Sequence, residues 1–228
     1  MKNKLLAKNT LASLISQVTT LICGFILPRI FLKYYGSEVN GLVSSITQFL
    51  GVISFLELGV GAVVQSSLYK PLADKNDKEI SCVLISANNF FQKLARILFF
   101  YIICLIIIYP YISNQNFGFL YTSSLILAIS ISFFAQYYFG IVNSLLLTAD
   151  QHGYIQYNTS SITLILNTIV CTVMIKIGGS VQLIKLTTSL IYLIRPLVLK
   201  LYVEKKYNID WNVRYSVEPI KQKWNGVA

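Results

Sequence analysis

The fold of this chain is decided by one run of residues without formal charge, 97-ILFFYIICLIIIYPYISNQNFGFLYTSSLILAISISFFAQYYFGIVNSLLLTA-149. A transmembrane α-helix needs about 20 apolar residues, so this run is long enough for two such helices. Residue types that favour turns interrupt it near the middle, namely Pro110, Asn114, Asn116 and Gly118. The run therefore predicts two membrane-spanning helices joined by a short polar turn.

The composition of the whole chain also indicates a membrane protein. Of its 228 residues, 55% are hydrophobic and 12% are charged, whereas soluble domains average about a quarter charged residues. The net charge is +10, but Lys and Arg collect in the cytoplasmic loops of membrane proteins, so we expect no nucleic acid partner. The four cysteines form no CxxC pair and the single histidine, His152, stands in a short predicted loop beside Asp150. We therefore expect inert thiols and no metal site.

The hydropathy pattern predicts an all-α integral membrane protein whose residues 1–203 form one bundle of six transmembrane helices. The six spans cover about residues 11–32, 40–68, 94–112, 119–147, 154–175 and 183–203. An amphipathic stretch leads into the third span, and a basic linker, residues 204–228, follows the sixth. With the N-terminus inside, fourteen basic residues fall in the inner segments, whereas the outer loops and span ends hold three, Lys33, Lys176 and Lys185. This bias predicts cytoplasmic termini for this segment.

One carboxylate, Glu57, stands inside the otherwise uncharged stretch 54-SFLELGVGAVVQ-65. A charge in mid-membrane costs at least a few kcal/mol, so we expect Glu57 to face protein or water. On a continuous helix the residues that share its side, within about 80°, are Thr47, Ser54, Gly61 and Gln65. Small and hydroxyl residues also allow close helix packing, but the carboxylate and the amide favour a hydrated, functional face.

The sixth span carries a similar stripe of Thr188, Tyr192 and Arg195. Arg195 lies about 12 Å from the inner end of the span at 1.5 Å per residue, which is far for snorkelling to the headgroups. We expect it to face the interior and to pair with Glu57.

Three further polar residues are candidates for an internal cavity. Gln136 and Asn143 share one face of the fourth span. Arg29 follows Pro28 near the outer end of the first span, where it faces the cavity if the proline redirects the helix and otherwise anchors the helix at the interface. Hydroxyls and amides suit a sugar, and guanidinium groups suit a phosphate, so the interior suits a polar head on an apolar tail.

A resemblance to a known family rests mainly on 24-GFILPRIFLKYYGSEVNGLVSSITQFLGVISFLELGVGAVVQSSLYKPLADKN-76. Later pieces agree in order, namely 148-TADQHGYIQ-156, 194-IRPLVLKLYVEKKYNI-209 and 220-IKQKWNGVA-228. The chain resembles the N-terminal half of Wzx-type oligosaccharide flippases, in the MATE-like multidrug/oligosaccharidyl-lipid/polysaccharide exporter superfamily.

The resemblance implies a non-enzymatic transporter of the bacterial cytoplasmic membrane. Such proteins flip undecaprenyl-diphosphate-linked oligosaccharide from the inner to the outer leaflet by alternating access, for O antigen, capsule or exopolysaccharide. The resemblance also implies two six-helix bundles, of which this chain forms the first. A second bundle, or a separate chain that supplies it, is therefore an expected partner. Membrane lipids and the polysaccharide polymerase machinery are further expected partners. No cofactor is implied, and coupling to a proton or sodium gradient stays open.

The resemblance also suggests roles for the charged residues. Glu57 lies in the ELGVG stretch, where the family has a carboxylate, and is expected to gate the cavity between the bundles together with Arg195. Arg29 is expected to meet the diphosphate from the outer side. The alternatives are a cation-coupled drug exporter, a membrane-embedded polymerase or acyltransferase, and an inactive half-length fragment that needs a partner bundle. The short outer loops and the single inner histidine disfavour the embedded enzyme.

Replacing Glu57 with Gln is expected to leave membrane insertion intact and to stall transport, because the amide keeps the side chain's shape but removes the charge. The measurement is surface polysaccharide in cells that depend on this gene, with the amount of protein in the membrane as the control. Normal surface polysaccharide from Glu57→Gln would exclude the gating role.

Overall fold

The computed structural model describes residues 2–57, 59–113 and 117–212, with the backbone alone at residues 2, 3, 56 and 57. This part of the chain is helical and contains no β-strand. The helices are α1 (Lys2–Gly51), α2 (Ser54–Glu57), α3 (Val60–Ala73), α4 (Asp77–Ile112), α5 (Phe119–Ala135), a π-helix (Gln136–Gly140), α6 (Ile141–Ala149), α7 (Gly153–Lys176) and α8 (Val181–Lys206).

Five helical segments in the described ranges are long and apolar enough to cross a membrane. They are α1, α4, the segment from α5 through α6, α7 and α8. The predictions of an all-α chain and of a membrane protein are therefore confirmed at this level. The count of six spans stays a prediction, because α1 includes both the first predicted span and the start of the second.

Gly36 divides α1 into two halves. Its backbone has φ 82° and ψ 174°, which is not helical, and the helical hydrogen-bonding pattern resumes after it. Glycine adopts a positive φ without the steric cost that a Cβ atom brings. The chain can therefore change direction at this point between the first half of α1 and its second half, residues 37–51.

The second predicted span, residues 40–68, is not one continuous helix. Helix α1 ends at Gly51, α2 occupies Ser54–Glu57, and α3 begins at Val60 after Gly59 with φ 88°. The common face calculated for Thr47, Glu57 and Gln65 on a continuous helix therefore does not apply across these breaks.

Helix α4 joins the amphipathic stretch and the third predicted span in a single element of 36 residues. The side chain of Asn76 caps its start by accepting a hydrogen bond from the Glu79 backbone N–H at 3.2 Å. Asp77 and Glu79 lie in its first turn, where negative charge is favourable. At 1.5 Å per residue the helix is about 54 Å long, which exceeds the apolar thickness of a bilayer.

Small residues allow α8 to approach the segment formed by α5, the π-helix and α6. The Ser189 hydroxyl is buried and donates to the Ala128 carbonyl at 2.5 Å. A Cβ atom on Gly140 would lie 3.0 Å from Cβ of Pro196, so the chain is in close contact with α8 there as well. The fully buried side chains that fill the bundle include Ile46, Leu50, Phe91, Leu98, Leu125, Ile126, Leu146, Leu147 and Ile175.

Hydrogen bonds between distant segments hold the bundle together at two ends. At the first end the side chain of Asn9 accepts from the Tyr154 backbone N–H and donates to the Gln151 carbonyl, both at 2.8 Å. At the opposite end the Tyr35 hydroxyl donates to the carbonyl of Gly179, in the turn between α7 and α8.

Gly140→Val is expected to lower the melting temperature in detergent, because the added side chain overlaps Pro196, whose ring cannot move aside. Overpacking of this kind costs about 1–3 kcal/mol. Gly24→Val is the matched control, since a Cβ at that α1 position meets nothing within 4 Å in the structure. Equal melting temperatures for the two variants would contradict the close approach.

Candidate functional site

A cleft of about 330 Å³ lies between the two halves of α1 and the start of α8. The first half of α1 contributes apolar side chains, and the second half contributes mainly amides and hydroxyls. The residues that line it are Leu27, Pro28, Phe31, Asn40, Val43, Ser44, Thr47, Gln48 and Lys185.

The polar wall of the cleft follows from the sequence of the second half of α1. Asn40, Ser44, Thr47 and Gln48 recur at spacings of four, three and one residues, so they share one helix face. The Thr47 hydroxyl donates to the Val43 carbonyl at 2.8 Å, which leaves the oxygen's lone pairs available to a ligand. Because α1 breaks at Gly36, this face lies across the cleft from the apolar wall.

Lys185 supplies the positive charge of the cleft. Its Nζ atom lies 4.7 Å from the centroid of the Phe31 ring, within the range of a cation–π contact. The side chain is half-buried, and none of the ion pairs among the described side chains includes it. An ammonium group with an aromatic neighbour and no carboxylate partner within this part of the chain is suited to an anionic ligand.

A chain of hydrogen bonds joins the polar stripe of α8 to α7. The Asn167 amide donates to the Tyr192 hydroxyl at 3.4 Å, and the Cys171 thiol donates to Asn167 Oδ1 at 3.2 Å. The same sulfur lies 3.2 Å from Thr188 Oγ1. Thr188 and Tyr192 thus contact α7, and Cys171 takes part in a polar network rather than in purely apolar packing.

Arg195 lies one turn beyond Tyr192, close enough for the two side chains to interact electrostatically. Its Nε atom is buried and finds no hydrogen-bond partner in the described part of the chain. The predicted partner, Glu57, has its side chain outside the described residues, so the ion pair between them stays a prediction.

The remaining predicted site residues do not gather in the cleft, apart from Thr47. Ser54 is exposed on α2 and donates to the Gly51 carbonyl at 2.7 Å, whereas Gln65 is half-buried on α3. Arg29 is exposed beside Pro28 and is not among the residues that line the cleft.

Gln136 and Asn143 contribute to packing around the π-helix. A Cβ on Gly140 would lie 3.0 Å from Gln136 Oε1, so this amide sits at the contact with α8. Asn143 is buried and donates to the Phe139 carbonyl at 3.0 Å. The π-helical turn changes the angular spacing between these residues, so the regular α-helical face predicted for them does not hold.

Sequence reasoning missed Asn40, Ser44, Gln48, Lys185 and Asn167. The helical spacing of Asn40, Ser44 and Gln48 is a signal in the sequence, but the charge of Glu57 favours a functional face further along the chain. The charge distribution predicts that Lys185 lies at the outer end of the sixth span, but nothing local in the sequence indicates that Phe31 lies under its ammonium group. No group of three or more potential metal ligands occurs among the described residues.

Comparisons with protein-family models, with curated proteins and with solved structures found no match to this chain.

Cysteines placed at Ser44 and Thr47 are expected to react with water-soluble methanethiosulfonates, in a background whose four native cysteines are alanine. A negatively charged reagent should react faster than a positively charged one, because the ammonium group of Lys185 attracts anions to the cleft. The measurement is the labelling rate of each variant in membranes.

Two controls make this labelling experiment specific. Ile22→Cys lies on an exposed, apolar part of α1 and should react slowly with both reagents. Adding Lys185→Met should abolish the preference for the anionic reagent at Thr47→Cys. Equal rates for both reagents with Lys185 present would show that the cleft is not electrostatically selective.

Proposed function

We propose that this chain forms one bundle of a membrane transporter that flips lipid-linked oligosaccharide from the inner to the outer leaflet. The observation that carries the proposal is Lys185, a cation without a carboxylate partner among the described side chains, in a cleft with one polar and one apolar wall. The sequence resemblance to Wzx-type flippases supports the same function independently.

The chemistry of each wall corresponds to a part of such a substrate. An ammonium group forms charge-assisted hydrogen bonds with phosphate oxygens, which are stronger than those between neutral groups. The side chains of Asn40, Ser44, Thr47 and Gln48 offer donors and acceptors to sugar hydroxyls. The wall of Leu27, Pro28 and Phe31 suits the apolar chain that carries the sugar.

Two cations at different depths on α8 support a path across the membrane. Lys185 and Arg195 are ten residues apart, or about 15 Å along the helix axis. Thr188 and Tyr192 lie between them on the same side of α8. An anionic headgroup that leaves one cation therefore meets hydroxyls before it reaches the other.

The wider setting of this proposal combines the resemblance with the positions of the charges. The resemblance implies the bacterial cytoplasmic membrane, and the distribution of Lys and Arg favours a cytoplasmic position for the first end of the bundle, with the N-terminus and the end of α8. A second bundle, in the same chain or in a partner, completes the path for alternating access. The substrate passes to the polysaccharide polymerase machinery.

The test is transport by the full-length gene product in proteoliposomes that contain lipid-linked oligosaccharide. The readout is the fraction of oligosaccharide that reaches the outer leaflet, where an added lectin binds it. Lys185→Met is expected to slow transport about ten- to hundredfold, the factor lost with a hydrogen bond to a charged group. Lys185→Arg should retain most of the rate because it retains the charge.

Lys176→Met is the matched control, since Lys176 is an exposed lysine at the same end of the bundle. It is expected to transport at the unmodified rate. The flippase proposal would be wrong if the unmodified protein transported no oligosaccharide but exported organic cations. That result would identify a drug exporter instead. Equal loss in both lysine variants would exclude the cleft as the site.

A further inference from the structure

Four residues at the first end of the bundle form a cluster that joins α8 to the loop between α6 and α7. We call Asp150, His152, Lys206 and Tyr207 the Asp150 cluster. The carboxylate Oδ2 of Asp150 accepts a hydrogen bond from the Tyr207 hydroxyl at 2.5 Å and one from Lys206 Nζ at 3.2 Å. His152 lies between them, with Nδ1 3.1 Å from the same carboxylate oxygen.

The geometry defines the proton positions on His152. Its Nδ1 is 2.6 Å from the Asp150 backbone carbonyl, which only accepts hydrogen bonds, so Nδ1 carries a proton. Its Nε2 is 2.6 Å from Lys206 Nζ, and an ammonium group only donates. Nε2 must therefore be the unprotonated acceptor, and the imidazole in this arrangement is neutral.

We propose that the Asp150 cluster is a pH-sensitive contact between α8 and the α6–α7 loop, which we call the tie. Protonation of His152 releases Lys206 and loosens the last turn of α8. A proton on Nε2 removes the lone pair that Lys206 uses and places two positive groups within 2.6 Å of each other. The bond from Nδ1 to Asp150 exists in both protonation states, so a protonated His152 stays with Asp150 and displaces Lys206.

The other groups around His152 are compatible with the displacement of Lys206. Burial, together with the hydrogen bond to Asp150, raises the pKa of Tyr207 above its ordinary value, so its hydroxyl donates in both states. The Tyr154 ring of α7 lies 6.0 Å from the imidazole, and Tyr202 of α8 interacts electrostatically with Asp150. Lys8 of α1 brings a further positive charge to this end, with its Nζ 5.7 Å from the centroid of the Tyr154 ring.

The direction of the pH dependence follows from these contacts. Imidazole side chains commonly titrate between about pH 5 and 8. The bond between Lys206 and His152 exists only while Nε2 is unprotonated, so it is lost when the imidazole takes up a second proton at lower pH. The segment after α8 keeps its own contacts, since Tyr207 remains on Asp150 and the Asp210 backbone N–H donates to Ser81 of α4 at 3.1 Å.

Hydrogen exchange of the full chain in lipid nanodiscs tests the tie at about pH 7.5 and pH 5.5, on either side of imidazole titration. After correction for the intrinsic pH dependence of exchange, the amides of residues 203–207 should exchange about tenfold faster at the lower pH, the factor expected for one charge-assisted hydrogen bond. Unchanged protection in the unmodified protein would overturn the proposal.

Three variants identify the groups responsible. The chain has one histidine, and His152→Gln keeps an acceptor for Lys206 but does not titrate, so its protection should be equal at both pH values. In Lys206→Met the amides of residues 203–207 should be weakly protected at both pH values. Lys205→Met, which changes the exposed neighbouring lysine, should respond as the unmodified protein does. A persistent pH response in His152→Gln or in Lys206→Met would assign it to other groups and refute the tie.

Discussion

The positive φ of Gly36 is the constraint on which the cleft depends. Without that break, α1 would continue as a single rod, and the amide and hydroxyl face of its second half would lie beyond the end of the bundle. With it, the face of Asn40 to Gln48 lies opposite Leu27 and Phe31. The low cost of this conformation at glycine allows a single residue to determine how two long apolar segments meet.

The polar side chains of the bundle are compatible with an apolar environment because most of them bond to the backbone of their own helix. Hydroxyls of Thr47, Thr163 and Thr168 donate to carbonyls four residues earlier. Side chains that instead bond across helices, such as Ser189 and Asn167, identify the tightly fixed contacts of α8. Lys185 and Arg195 differ from both groups, since they bring charge without a described ionic partner.

The two ends of the bundle are therefore physically different. The end with the Asp150 cluster is held together by charged hydrogen bonds among the α6–α7 loop, α8 and the segment after it. The opposite end has the open cleft and the hydrogen bond from the Tyr35 hydroxyl to the Gly179 carbonyl. For the alternating-access transport that we propose, the first end has hydrogen bonds that must break, and the opposite end has a cleft that is already open.

The sequence by itself determined the class of the protein and the positions of most of its helices. Hydropathy indicates the spans over residues 119–147, 154–175 and 183–203, and these coincide with helical segments, because hydropathy is a property of residues that are close in the chain. Only the tertiary structure decided that Lys185 lies over Phe31 and that Thr188 meets Cys171. These contacts join different helices, and they depend on how the helices pack against one another, which the periodicity within each segment does not determine.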